Sequence, residues 1–202
     1  MPQHVSRRMP WLARVTLLCF LLPAAGRAEA PPVFQITPQD SSIKFSVDAS
    51  VSVTGTFDKW NSSLTFSSSD AATGVLDIKI QAASVDTGSG LKDRKLKGDD
   101  FFDVANNPLI TFHSTKIVKT GPETVEVDGD FTIRGVTKPE KLSLTVSGAG
   151  TGSGEIKGTM AFNRKDYGIN GSIPLVRIAD RVEVTVALHA RRVSGPPVAF
   201  KP

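Results

Sequence analysis

The chain has 202 residues, of which 40% are hydrophobic and 22% are charged, and its formal net charge is +4. Four of the 24 basic residues lie within the first 28 positions and all 20 acidic residues follow them, so the remainder is neutral and a nucleic-acid interface based on net charge is excluded. The single cysteine, Cys19, lies in the same stretch, which excludes disulfides, thiolate metal sites and cysteine nucleophiles from the rest of the chain.

Residues 1–28 are predicted to be a cleaved secretory signal. Arg7, Arg8 and Arg14 precede an apolar run over 15–25 that ends in small residues. This run is about half the length needed to span a bilayer, and no later segment approaches that length, so no transmembrane segment is predicted. We place the mature start at Glu29, although the small residues also fit a cleavage two residues later.

Apolar and polar residues alternate along most of the remaining chain, which is the period of a strand with one dry and one wet face. The apolar members are Ile43, Phe45 and Val47; Val51, Val53 and Phe57; Leu76, Ile78 and Ile80; Val125, Val127, Phe131 and Ile133; Leu142, Leu144 and Val146; Ile156, Met160 and Phe162; and Val182, Val184, Val186 and Leu188. Clean alternation indicates antiparallel sheet, since parallel strands are covered on both faces. Residues 29–193 therefore predict one β domain, and we expect 194–202, which holds three prolines, to be a disordered tail.

One segment, 90–97, has helical character, with Leu91 and Leu96 among basic residues. The turn that follows it, 99–103, is predicted to bury the rings of Phe101 and Phe102. Gly129 lies on the predicted strand that carries Val127 and Phe131. It is either a small residue that lines the channel or the site of a β-bulge.

Catalytic and metal sites are not predicted. His113 and His189 are the only histidines after the signal, and neither lies in a cluster of carboxylates. The glycines of 148–154 miss the GxGxxG spacing, and no Gly-x-Ser-x-Gly sequence is present. Asp99 and Asp103 could form an acid pair, but turns rich in aspartate are common in β proteins. We therefore predict no catalytic residue, no metal and no cofactor.

Six motifs resemble those of the YceI family in order and spacing, over about 34–190. They are the segments 83–88, 101–103, 108–112, 114–115, 129–139 and 163–169. The resemblance implies a periplasmic protein with an extended eight-stranded antiparallel lipocalin-like β-barrel, one short helix near its mouth, and an apolar channel for a polyisoprenoid, an isoprenoid quinone or another amphiphilic lipid. The chain departs from the family in two places: Phe45 to Ser50 lacks the usual Lys-His-Leu, and Lys95 stands where relatives often have histidine.

The predicted partner is thus a lipophilic small molecule held inside an all-β barrel, and both a monomer and a homodimer stay open. The predicted channel lining is Phe45, Val47, Phe57, Phe66, Ile78, Ile80, Phe101, Phe102, Phe112, Phe131, Ile133, Leu144, Met160 and Phe162. An eight-stranded barrel of this size either fills with side chains or holds one small ligand. The alternatives are therefore a β-sandwich interaction module with a filled core, and an enzyme that acts on a bound lipid.

Basic residues near the mouth are predicted to contact an anionic head group of the ligand. They are Lys92, Arg94, Lys95 and Arg164. The alternative for the helix lysines is a solvated face balanced by nearby acids. The alternative for Arg164, and for Arg134, is a turn in which each pairs with Asp130 or Asp166.

Overall fold

The computed structural model describes residues 30–50, 52–148, 150–172 and 175–200, so the predicted signal lies outside it. In these ranges the chain forms eleven strands and one α-helix. The strands are β1 (Val33–Ile36), β2 (Ser42–Ala49), β3 (Val53–Phe57), β4 (Trp60–Phe66), β5 (Gly74–Gln81), β6 (Val85–Asp86), β7 (Leu109–Lys119), β8 (Thr124–Ile133), β9 (Val136–Ser147), β10 (Ser153–Asn163) and β11 (Ile178–Ser194). The helix, α1 (Gly90–Lys97), has the predicted bounds.

The eleven strands form one closed barrel of eight long strands. Three of the long strands are each interrupted once and are therefore numbered as two. A 3-10 turn at Pro38–Asp40 separates β1 from β2, two residues separate β3 from β4, and a 3-10 turn at Ala82–Ser84 separates β5 from β6. β2 pairs with β3 and β1 with β4, while β5 and β6 pair with β4 and β3 respectively. The predicted eight-stranded antiparallel barrel is confirmed, and the two-layer sandwich is wrong.

The last strand closes the barrel. β11 pairs along one edge with β10 and along the other with β2 and then β1, always antiparallel. Between these ends the strands follow one another as a meander through β7, β8, β9 and β10. In the described ranges no helix combines the length and the apolar character that crossing a membrane would require.

The predicted alternation is confirmed by burial. Along β2, Ile43 and Phe45 are buried while Lys44 between them is exposed, and along β8, Val127 and Phe131 are buried while Asp130 is exposed. The inward residues form one core cluster that runs through the barrel. The predicted inward residue Val51 lies outside the described residues.

Two glycines let large side chains fill the middle of the barrel. A Cβ on Gly129 would lie 2.5 Å from Cζ of Phe112, so that ring rests directly on the backbone of β8. A Cβ on Gly158 would meet Leu144 and would lie 2.9 Å from Cγ2 of Val186. These contacts pack a layer of side chains across the barrel, which we call the waist.

The C-terminal segment differs from the predicted disordered tail. Beyond β11, the backbone N–H of Ala199 donates to the carbonyl of Ser69 at 3.0 Å, and the N–H of Ala71 donates to the carbonyl of Ala199 at 2.9 Å. Phe200 packs against the core. The physical reason is that Val198, Ala199 and Phe200 are apolar and cover an apolar end of the barrel.

Candidate functional site

The barrel interior holds a cavity at each end, with the waist between them. The helix-end cavity, below α1, encloses about 120 Å³, and the tail-end cavity, beside residues 197–200, encloses about 470 Å³. A void of about 30 Å³ lies in the waist and shares wall residues with the helix-end cavity. Among the described residues, none lines both end cavities.

The helix-end cavity is almost wholly apolar. Nine of the predicted lining residues reach it: Phe45, Val47, Phe57, Ile80, Phe101, Phe102, Phe131, Ile133 and Phe162. Other wall residues were not predicted as lining, and they are Ile43, Val53, Leu96, Ile110, Ile169, Ile178, Val182 and Val184. Most of these continue the same alternation on their strands, so the alternation could have identified them.

Aromatic rings shape this cavity. Phe45 and Phe57 have ring centroids 5.6 Å apart, and Phe102, from the turn after α1, lies 6.4 and 6.1 Å from them. Such tilted and edge contacts stabilise aromatic pairs beyond the area that they bury. The predicted burial of Phe101 and Phe102 is confirmed, since both are under a tenth exposed.

The first turn of the helix is tied to the segment before it by the Asp93 carboxylate. Oδ1 of Asp93 accepts hydrogen bonds from the Thr87 hydroxyl at 2.7 Å and from the Thr87 backbone N–H at 2.9 Å. These bonds lower the pKa of Asp93, so the carboxylate stays ionised. Leu96 turns inward and packs on the core, whereas Leu91 is 72% exposed.

Two of the predicted head-group lysines line the helix-end cavity. Nζ of Lys95 lies 2.8 Å from Oδ2 of Asp100 and 5.6 Å from the ring centroid of Phe101, and the hydrogen bond lowers the pKa of Asp100. Lys92 has no ion-pair partner within 4 Å among the described residues. Arg94 is exposed and lies outside the cavity lining.

Arg164 reaches the cavity wall, but four of its five N–H donors are already used. Its Nε donates to the carbonyl of Ala179 at 3.0 Å, and its Nη1 donates to the carbonyls of Ile169 and Gly171 at 2.8 and 3.1 Å. Nη2 lies 3.2 Å from Oδ1 of Asp180. This buried guanidinium holds the loop between β10 and β11, which favours the structural alternative for Arg164 over contact with a head group.

The predicted turn pairings are corrected. Arg164 pairs with Asp180 rather than Asp166, because the chain returns past the start of β11. Arg134 donates to the carbonyl of Gly168 rather than pairing with Asp130. Arg134 and Gly135 both have positive φ, 52° and 72°, as a tight β8–β9 hairpin requires.

Sequence reasoning missed Tyr167. Its ring is fully buried and lies 5.5 Å from the centroid of Phe131 and 5.2 Å from that of Phe162. Its hydroxyl donates to Oε1 of Glu140 at 2.7 Å. Burial, with the Glu140 carboxylate beside it, raises the pKa of Tyr167 strongly, so the phenol stays neutral.

The remaining predicted lining residues lie outside the helix-end cavity. Ile78, Phe112 and Met160 line the void in the waist, and Phe66 and Leu144 line the tail-end cavity. The fourteen predicted residues therefore all face the interior, but they surround three spaces instead of one continuous channel.

Two of the polar residues considered for catalysis or metal binding, His113 and Asp103, have local partners. Nδ1 of His113 lies 2.7 Å from Oδ1 of Asp77 on the exposed face. The Asp103 carboxylate accepts from the side-chain amides of Asn106 and Asn107 at 2.9 and 3.0 Å. The part of the chain that the structure describes contains no group of three or more His, Cys, Asp or Glu arranged for a metal ion.

The fold and sequence match known proteins over most of the chain. A UPF0312 protein of Pseudomonas savastanoi pv. phaseolicola is 30% identical over 176 residues, covering 84% of this chain and 92% of the relative. Protein YceI of Escherichia coli O157:H7 is 36% identical over 96 residues, covering 48% and 50%.

Solved structures share the barrel. BcnA of Burkholderia cenocepacia superposes with a TM-score of 0.70 at 24% identity, covering 77% of this chain and 99% of that one. A domain from Saccharophagus degradans described as polyisoprenoid-binding superposes with a TM-score of 0.62 at 16% identity, covering 80% and 99%. Residues 34–190 match the family model of the YceI-like domain, and the chain therefore belongs to the YceI-like family.

Proposed function

We propose that this barrel binds a lipophilic ligand in its interior and performs no chemistry on it. The observation that carries the proposal is the helix-end cavity, whose walls are aliphatic and aromatic except for the buried Arg164 and two exposed lysines, Lys92 and Lys95. Burial of an apolar chain contributes about 0.8 kcal/mol per methylene, so a ligand of ten or more carbons needs few polar contacts. Family membership and the polyisoprenoid-binding neighbour support an isoprenoid or similar lipid as the ligand class.

The polar end of the ligand would meet Lys92 and Lys95. The pair between Lys95 and Asp100 is half exposed, and exposed pairs contribute about 0–1 kcal/mol, so an anionic group can replace Asp100 at small cost. Arg164 would act as a wall residue, since its donors hold backbone carbonyls. Arg94, which faces solvent, would contribute only to the surrounding positive field.

Ligand entry requires the interior to widen. The cavity of about 120 Å³ is smaller than the roughly 300–1,000 Å³ that drug-sized ligands occupy. The void in the waist shares Ile43, Ile80, Ile110, Phe131 and Val184 with it, so the apolar chain would extend from the helix end toward the waist. The rings of Phe102 and Phe131 are the side chains that would have to move.

Native mass spectrometry tests the proposal directly. We expect adducts after addition of an isoprenoid quinone or a prenyl phosphate, and a loss of the quinone adducts in Val53→Trp, which fills the helix-end cavity. Val118→Trp is the matched control, because Val118 is exposed on β7 and lines no described cavity. Absence of adducts in the wild type, or equal quinone adducts in both variants, would refute the proposal.

A non-catalytic role is part of the same proposal. Among the described residues, no carboxylate and no histidine lines the helix-end cavity, and the ionisable side chains that do line it are Lys92, Lys95 and Arg164. Recovery of the bound lipid with unchanged mass after prolonged incubation is the expected result. Any mass change that requires the folded protein would instead support the enzyme alternative.

Export to the periplasm is proposed on the basis of the predicted signal. The measurement is the N-terminal mass of protein recovered from the periplasmic fraction, and we expect Glu29 as the first residue. Full-length chain in the cytosolic fraction would contradict this.

A further inference from the structure

We propose that the tail-end cavity is a second binding site, separate from the helix-end site, for a single-chain amphiphile with an anionic head group. This cavity lies at the opposite opening of the barrel, beside the C-terminal segment. Its volume of about 470 Å³ is within the range of small-molecule sites, and it is the larger of the two end cavities. The proposal goes beyond lipid binding below α1.

The walls of the tail-end cavity suit an alkyl chain. Inward residues of eight strands supply most of the surface: Phe34, Leu64, Phe66, Leu76, Ile117, Val125, Val127, Leu144, Val146, Ile156 and Ala190. A flexible apolar chain gains from such a surface roughly in proportion to the area removed from water. The alternation had already placed Leu76, Val125, Val127 and Ile156 on the inner face.

The waist makes this site separate. Phe112 rests on Gly129, and Leu144 and Val186 pack on Gly158, so the barrel is filled at mid-height. The void that remains there is about 30 Å³, which is far smaller than either end cavity. A ligand in the tail-end cavity therefore enters and leaves without passing α1.

Charge at the rim selects the head group. The charged residues that line the cavity are Lys119 and Arg192, and among the described residues no carboxylate lines it. Neither cation forms an ion pair with a described carboxylate within 4 Å. Nη1 of Arg192 donates to the carbonyl of Gly195 at 3.1 Å, which leaves its remaining donors for an anion. An anionic head group would thus gain two cationic partners at the opening.

The C-terminal segment forms the cover of the site. Pro197 to Phe200 line the cavity, and Ala199 is tied to the loop between β4 and β5 by two backbone hydrogen bonds. Nζ of Lys119 lies 5.6 Å from the ring centroid of Phe200, so the cover contacts one of the proposed head-group cations. Release of these few contacts would open the cavity to solvent while leaving the barrel strands in place.

The test compares three probes that share a twelve-carbon chain and differ in head group: dodecanoate, dodecanol and dodecyltrimethylammonium. Calorimetric titration of the purified protein is expected to give at least tenfold tighter binding of dodecanoate than of dodecyltrimethylammonium. Val146→Trp, which fills the tail-end cavity, should weaken dodecanoate binding at least tenfold. Val118→Trp is the matched control, an exposed valine on β7 that lines no described cavity, and should change dodecanoate binding less than twofold.

A surface variant keeps the test independent of core folding. Lys119→Glu changes an exposed residue and should remove most of the preference for dodecanoate over dodecyltrimethylammonium. Phe200→Ala should raise the dissociation rate of dodecanoate severalfold, because the cover is weakened. Loss of dodecanoate binding in Val118→Trp, no effect of Lys119→Glu, or no dodecanoate binding by the wild type would overturn the second site. None of these results would contradict binding of isoprenoid lipids in the helix-end cavity, which the mass spectrometry of Val53→Trp tests separately.

Discussion

Replacement of Gly129 by alanine tests whether the barrel is filled at mid-height. The added Cβ would lie 2.5 Å from Cζ of Phe112 and 2.7 Å from the backbone carbonyl oxygen of His113, so both the ring and β7 must shift. Overpacking of this kind costs about 1–3 kcal/mol. Alanine also restricts the unfolded chain more than glycine does, and this stabilises the folded protein by about 0.4–1 kcal/mol, which offsets part of the overpacking cost. We expect a net destabilisation of about 1–2 kcal/mol, or roughly 2–8 °C in Tm for a domain of this size.

Thermal melting by circular dichroism measures this effect, with Gly90→Ala as the control. Gly90 begins α1, and a Cβ there would meet only Nη1 of Arg94, at 3.7 Å. The Tm of Gly90→Ala should equal that of the wild type or lie slightly above it, since alanine has a higher helix propensity than glycine. A Gly129→Ala variant as stable as the wild type would show that the space beside Phe112 is open and that one channel runs through the barrel.

Further variants test the groups that frame the helix end. Arg164→Ala should lower the free energy of unfolding by roughly 3 kcal/mol or more, because buried carbonyls lose a charged donor, and Arg164→Lys should restore only part of it in urea titrations. Tyr167→Phe should cost about 1–2 kcal/mol through loss of the bond to Glu140. Since the folded state raises the pKa of Tyr167, its contribution is present below about pH 10 and is lost as pH rises further, so Tyr167→Phe should show a flatter decline of stability above pH 10. Asp93→Ala should speed amide exchange over 90–97, and unchanged exchange would show that the bonds from Thr87 to Asp93 do not hold the helix.

The sequence could predict the features of the fold that depend on residues close to one another in the chain. Alternation over β2 and β8 identifies the inward residues Phe45 and Phe131, and the basic segment 90–97 is helical as expected. Each of these signals comes from neighbours within a few residues. They suffice for strand identity, for the closed sheet implied by the family motifs, and for the apolar nature of the interior.

Contacts between distant segments could not be predicted in this way. The fit of Phe112 onto Gly129 depends on the register of β7 against β8, where an extra residue in β7 shifts the pairing after Ser114. Arg164 meets Asp180 because β10 pairs with β11 in a register that places Asn163 opposite Arg181. The first of these contacts divides the predicted channel, and neither leaves a periodic signal in the sequence.

Closure of the barrel by β11 also brings the two ends of the domain together. A Cβ on Gly195 would lie 2.6 Å from the carbonyl oxygen of Pro31, so the backbone that leaves the barrel touches the backbone that enters it. Ile43 and Val186, which pair in register, are separated by most of the chain, so closure during folding waits for the last strand and should be slow. The adjacent ends suit circular permutation: a short linker could join them and the β8–β9 hairpin could be opened, giving a chain in which β11 and β2 are no longer at opposite ends and the closing pair becomes β8 with β9.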